Sequence, residues 1–100
     1  MSAATIQPQG AGRYALSGKL DFATVTSLLA QGRALLMSEA GIEMDLSGVT
    51  HADSAGLALL IEWLRQAKLQ SRQLRYLNLP AQLQSLASIS DVDDLLVQSA

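Results

Sequence analysis

Between Thr50 and Gly56 the chain reads THADSAG, which sets its single histidine, His51, close to a carboxylate and a hydroxyl, Asp53 and Ser54. These are the side-chain types of a serine nucleophile with its base and orienting acid. The spacing argues against that use. Residues so near one another on one loop rarely converge in the required order, and the G-x-S-x-G turn that exposes a nucleophilic serine is absent. One histidine, scattered carboxylates and no cysteine are too few ligands for a metal site. No glycine-rich cradle of the P-loop or dinucleotide type occurs, so no cofactor is expected.

The stretch does suit the mouth of a helix. Serine and aspartate are preferred N-caps, and either Asp53 or Ser54 fits that role. The free backbone N–H groups near Ser54, Ala55 and Gly56 favour an anion, and the small Ala55 and Gly56 leave the backbone approachable. A phosphate on a serine there would be tolerated electrostatically, so capping and a regulatory role are compatible. His51 reads as an exposed loop residue.

The elements that must position this mouth follow from periodicity and turn chemistry. TIQPQ reads as a short edge strand, since Pro8 can sit only where its missing N–H is harmless, so residues 1–12 are irregular or an edge. Gly10 and Gly12 mark a turn into a second strand, RYALSG, giving a hairpin. Asp21 is the expected cap of a first helix whose stripe is Val25, Leu28, Leu29, Gly32, Leu35 and Leu36, with Gly41 as its stop. Gly32 costs that helix about 1 kcal/mol, and close packing against the sheet is the expected reason.

GIEMDLSGV is the clearest strand, with Ile42, Met44 and Leu46 on one face and Glu43 and Asp45 on the other; the partner of Asp45 is open. SGVTHAD is the expected loop. The second helix starts at or near Ser54, with Leu57, Leu60, Ile61, Leu64 and the Lys68 stem on one face. Leu59 and Trp63 lie off that stripe, either buried by a curled sheet or forming an apolar patch for a partner. Arg65 and Gln66 read as solvated surface. QLRYLNL is a further strand ended by Asn78 and Pro80, and Leu83, Leu86 and Ala87 mark a third helix. The tail SDVDDLLVQSA is either a short helix capped by Ser90 or Asp91, or a strand at Leu95 to Val97.

The order β-β-α-β-α-β-α implies an α/β fold: one domain over residues 1–100, a mixed, mostly parallel sheet of about four or five strands, and flanking helices mainly on one face. The chain has 100 residues, 49% hydrophobic and 16% charged, enough apolar material for one core. A net charge of -2 disfavours nucleic acid as a partner. No stretch approaches the roughly 20 apolar residues that span a bilayer, and MSAATIQPQGAGR does not read as a signal peptide. The expectation is a soluble cytoplasmic domain that meets membranes only through a partner.

MDLSGVTHADSAGLALL resembles the signature of the STAS domain family, named for sulfate transporters and anti-sigma factor antagonists. The matching elements are Met44-Asp45-Leu46-Ser47, Val49 and Asp53-Ser54-Ala55-Gly56, with LSGKLD, Leu16 to Asp21, resembling the family's earlier G-x-L/I-D block. The likeness spans roughly Tyr14 to Val97. It implies a STAS-type fold without enzymatic activity. In the antagonists the serine after the aspartate is phosphorylated by a partner kinase; that position is Ser54, and the aspartate is Asp53. DSAGLALLIEWLRQAK is more similar still to the MlaB-like branch, with GLALL at Gly56 to Leu60. That resemblance implies an accessory cytoplasmic subunit, peripheral at the inner membrane of a Gram-negative bacterium. Its partner would be the MlaF-like ATPase of a phospholipid ABC transporter maintaining outer-membrane lipid asymmetry. The alternative it implies is an anti-sigma factor antagonist bound by a serine kinase. The expected contact is the second helix and its mouth: His51, Asp53, Ser54, Ala55, Gly56, Leu59, Glu62, Trp63 and Gln66.

Overall fold

The computed structural model describes residues 4–89. In chain order these form β1 (Ala4–Gly10), β2 (Arg13–Leu20), α1 (Val25–Ser38), β3 (Gly41–Ala52), α2 (Ser54–Leu69), β4 (Gln73–Leu77) and α3 (Ala81–Ile89). The expected tail, Ser90 onward, lies outside the described residues. The sheet has the order β1-β2-β3-β4, with β1 antiparallel to β2 and the two remaining pairings parallel. Both crossovers step the same way across the sheet, so the usual right-handed connection puts α1 and α2 on one face. The burial of β3 agrees: Ile42, Met44 and Leu46 are buried while Glu43 and Asp45 stay half-exposed on the other face. On that open face Glu43 bridges Arg13 at 3.1 Å and Arg75 at 3.0 Å, across three strands in register. Such exposed pairs contribute little to stability.

β3 is longer than its sequence pattern indicates. The expected loop through Thr50 and His51 is strand, and only Asp53 separates β3 from α2. Two register shifts against β2 make this possible, one between Ala15 and Ser17 and one between Gly18 and Lys19. Each inserts an extra β3 residue, so Leu46, Val49 and Ala52 pack inward with a spacing of three, which hides the strand from a period-two reading.

Three other expectations shift. Asp21 does not cap α1. The cap position is Thr24, and Asp21 instead folds the preceding turn, its Oδ1 accepting from the Ala23 N–H at 3.0 Å. The Thr24 hydroxyl closes that turn, donating to the Lys19 carbonyl at 2.8 Å. Gly41 does not end α1, which stops at Ser38 with Glu39 extended; Gly41 opens β3. The buried stripe of α2 is Gly56, Leu57, Leu59, Leu60, Trp63 and Ala67, whereas Ile61 and Leu64 are half-buried and Lys68 is exposed. The stripe is rotated because α2 packs on α1 as well as on the sheet.

That second contact explains Gly32. Glycine is buried there because the Trp63 ring lies against it: a Cβ on residue 32 would fall 2.2 Å from Trp63 Nε1 and 2.3 Å from Cε2. The indole N–H points at the Leu29 carbonyl, 3.4 Å away. The close packing anticipated at Gly32 is therefore against the neighbouring helix. Behind it, the buried Tyr76 hydroxyl donates to the Leu60 carbonyl at 2.7 Å and ties β4 to α2.

Gly32→Ala gains about 1 kcal/mol of helix propensity but overpacks a well-filled contact, which costs about 1–3 kcal/mol. The expected outcome is net destabilisation in urea unfolding together with a shifted Trp63 fluorescence maximum. Parent-like stability would show that the contact yields freely.

Candidate functional site

Asp53 converts strand to helix in one residue. Its backbone is extended (φ −119°, ψ −164°), and its Oδ1 accepts from the Ala55 N–H at 2.9 Å and the Gly56 N–H at 3.4 Å. Its own N–H donates to the Leu20 carbonyl at 3.2 Å, continuing the ladder to β2. Of the two possible caps the structure uses Asp53. Ser54 is thereby left as the first helical residue, with its side chain exposed.

Gly56 sets the first turn of α2 directly on the sheet. A Cβ there would lie 2.8 Å from both the Cβ and the carbonyl oxygen of Leu20, and 3.4 Å from the Ala52 Cβ. Only a residue without a side chain permits this approach. The mouth of α2 therefore rests on the ends of β2 and β3.

Beside Ser54 runs a groove of about 420 Å³ between α1 and α2. Phe22, Val25, Thr26 and Leu29 form one wall, and Ser54, Ala55, Ala58, Leu59 and Glu62 form the other. Phe22 stands at its rim with 89% of its surface exposed. The predicted residues thus divide. Ser54, Ala55, Leu59 and Glu62 line one groove. Asp53 and Gly56 shape its end. His51 is exposed but lies in β3, opposite Lys19, and not in the lining.

Trp63 is a correction: it is 1% exposed, sealed beneath Gly32, and offers a partner no surface. Leu59 is likewise buried, 4% exposed, and forms the groove's floor rather than an outward patch. Both lie off the stripe of a helix packed on a sheet alone, and α1 is the second neighbour that buries them. Gln66 is half-buried, its Nε2 donating to Glu62 at 2.9 Å. The α1 wall and Phe22 escaped the sequence reading. The available signal was a large apolar residue in a turn, between the Asp21 carboxylate and the first stripe residue.

The electrostatics of the site are local. Glu62 accepts from Arg65 Nε at 2.9 Å and Nη2 at 2.7 Å; these bonds and that from Gln66 hold its carboxyl down to about 2. Asp45 has a partner after all. Its Oδ1 accepts from Asn78 Nδ2 at 3.0 Å and from the Ser47 N–H at 2.9 Å, in that order the main reasons its pKa is lowered. Asn78 reaches it from a left-handed backbone conformation (φ +56°) just past β4. Both carboxylates that might orient His51, Asp45 and Asp53, thus hold other donors. Among the described residues no three His, Asp or Glu side chains gather as a metal site, and no helix is long and apolar enough to cross a membrane.

The family model described as "Mlab, STAS domain" matches residues 4–98. No curated protein sequence matches the chain. Among solved structures, the chain is similar to one in the Acinetobacter MlaFEDB complex in an ATP-bound conformation, with 24% identity over 84% of this chain and 90% of that one and a TM-score of 0.73. It is also similar to the phosphorylated form of the Bacillus cell fate determinant SpoIIAA, with 16% identity over 92% and 86% and a TM-score of 0.70. An anti-sigma factor antagonist from Mycobacterium paratuberculosis gives 19% identity over 92% and 80%, with a TM-score of 0.70. At these identities the likeness is one of fold.

Two outcomes are expected here. Asp53→Ala should destabilise the fold by about 1 kcal/mol in urea unfolding, while Asp53→Asn, still a good cap, recovers most of it. Asn78→Ala should raise the Asp45 pKa in an NMR titration of the side-chain carboxyl. A depressed folded pKa stabilises above the unfolded value and that stabilisation is lost as pH falls through the folded value. The stability difference between parent and Asn78→Ala should therefore be largest at neutral pH and narrow in acid to the pH-independent cost of alanine in a left-handed conformation.

Proposed function

The chain belongs to the Mlab-type STAS domain family, and from that premise we propose that it is a non-enzymatic accessory subunit docking on the ATPase of an Mla-type phospholipid ABC transporter. Membership of that branch, whose model runs over residues 4–98, points to the transporter. The observation that carries the docking site is the exposed Ser54 at the rim of an apolar groove headed by Phe22. A fully presented aromatic beside a shallow apolar trough is the form of an interface anchor. The net charge of -2 and the helix-mouth position of Ser54 favour a protein partner over nucleic acid. In this reading the chain sits at the cytoplasmic side of the inner membrane through its partner, and the transported lipid never touches it.

A subunit of this kind regulates only by binding one state of the ATPase better than another. Ser54 supplies the control point. Phosphate would add roughly -1.5 to -2 charge at the groove's rim, opposing an apolar contact by bulk and desolvation. The same exposed hydroxyl supports a second reading, an anti-sigma factor antagonist switched by a serine kinase at Ser54. The fold is shared with such antagonists, including one solved in its phosphorylated form.

Co-expression with the Mla-type ATPase of the same organism, followed by size exclusion, separates the two. The first reading expects a stable complex, kept by Ser54→Ala, weakened by Ser54→Asp, and weakened roughly tenfold or more by Phe22→Glu. No complex with a folded ATPase would sink it, and mass spectrometry after incubation with a serine kinase would then test for phosphate on Ser54.

A further inference from the structure

β3 outlasts its neighbour. Its pairing with β4 ends at Asp45 opposite Leu77, so residues 46–52 run on with β2 on one side and, among the described residues, no strand on the other. Successive backbone N–H groups point to opposite sides of a strand. The Asp53 N–H turns to β2, where the Leu20 carbonyl accepts it. The Ala52 N–H turns the other way, toward the side on which β4 has ended. There the Gln82 side chain accepts it, Oε1 at 3.1 Å.

Gln82 lies in the first turn of α3, on a helix surface where a glutamine would ordinarily bond to water. Instead it reaches across to the last residue of β3. Ala52 is 1% exposed, and its Cβ is among the atoms nearest to where a side chain on Gly56 would stand. A displacement of Ala52 therefore passes straight to the first turn of α2, and Asp53 and Ser54 lie between the two.

We propose that Gln82 is a positioning residue for the partner surface: by accepting the Ala52 N–H it fixes the end of β3, and through Ala52 and Gly56 it sets the angle at which Ser54 and the groove wall are presented. This rests on the docking reading above for its consequence, though not for the geometry. α3 then serves as the third support of the site without lining it. A carboxylate at position 82 would accept the same N–H, whereas an apolar side chain of similar size would leave it unpaired.

The test compares Gln82→Leu and Gln82→Glu with the parent. Amide NMR of the free protein reads the geometry: Gln82→Leu should move the Ala52, Asp53 and Ser54 resonances and speed Ala52 hydrogen exchange, and Gln82→Glu should restore parent-like values. Titration with the ATPase reads the consequence: Gln82→Leu should weaken binding about 3- to 10-fold, the range of one buried hydrogen bond, with Gln82→Glu close to the parent. If the parent itself does not bind the ATPase, the docking reading fails, and the NMR comparison alone decides whether Gln82 positions Ser54. Unmoved Asp53 and Ser54 resonances in Gln82→Leu would overturn the proposal. So would unchanged affinity despite faster Ala52 exchange, or an equal loss in both variants.

Discussion

Trp63 fits between α1 and α2 only because residue 32 carries no side chain. The contact determines how near the two helices come and how α2 is rotated about its axis. With the indole buried, Leu59, one turn earlier, is drawn to the same seam, and the buried stripe of α2 swings toward α1. The first turns of the two helices, farther from the indole, leave a groove floored by Leu59 and flanked by Val25 and Leu29. One tight contact toward the far end of the helix pair and an open trough at the near end belong to the same packing solution.

The near end is built by a second close approach. Gly56 lets α2 begin in contact with Leu20 and Ala52, so the helix mouth rests on backbone rather than on flexible side chains. Asp53 takes the cap and satisfies two of the orphan N–H groups, which frees the Ser54 hydroxyl. An aspartate that holds the structure and a serine that stays available are a division of labour. Were Ser54 the cap, modifying it would unseat the helix; with Asp53 in that role, the serine can gain charge while the fold persists.

The open face of the sheet plays a different part. Arg13, Glu43 and Arg75 neutralise one another across three strands, and Asp45 is held by Asn78 and Ser47. These groups close the far side with local pairings. The distinctive apolar exposure near the helix mouth is Phe22, in the turn between β2 and α1. The fold is shared with a chain of the MlaFEDB complex and with an anti-sigma factor antagonist, and a shared fold does not by itself assign a function.

The order of elements, the hairpin, the inward face of Ile42, Met44 and Leu46, and the helix beginning at Ser54 were legible in the sequence, because each rests on local periodicity or turn chemistry. The motif from Asp45 to Gly56 likewise marked the family, since residue types at fixed spacing survive without coordinates. Tertiary structure decided the rest. Two register shifts turned an expected loop into strand, because a bulge breaks the period-two signal that identifies strands. The choice between Asp53 and Ser54 as cap was undetermined, as both side chains are competent and only backbone direction selects one. Trp63 and Leu59 went inward because α2 has a helical neighbour as well as a sheet, and a one-helix stripe cannot reveal a second neighbour. The groove wall from Phe22 to Leu29 and the Gln82 bond to Ala52 join residues about thirty positions apart in sequence, and such encounters are created by packing alone.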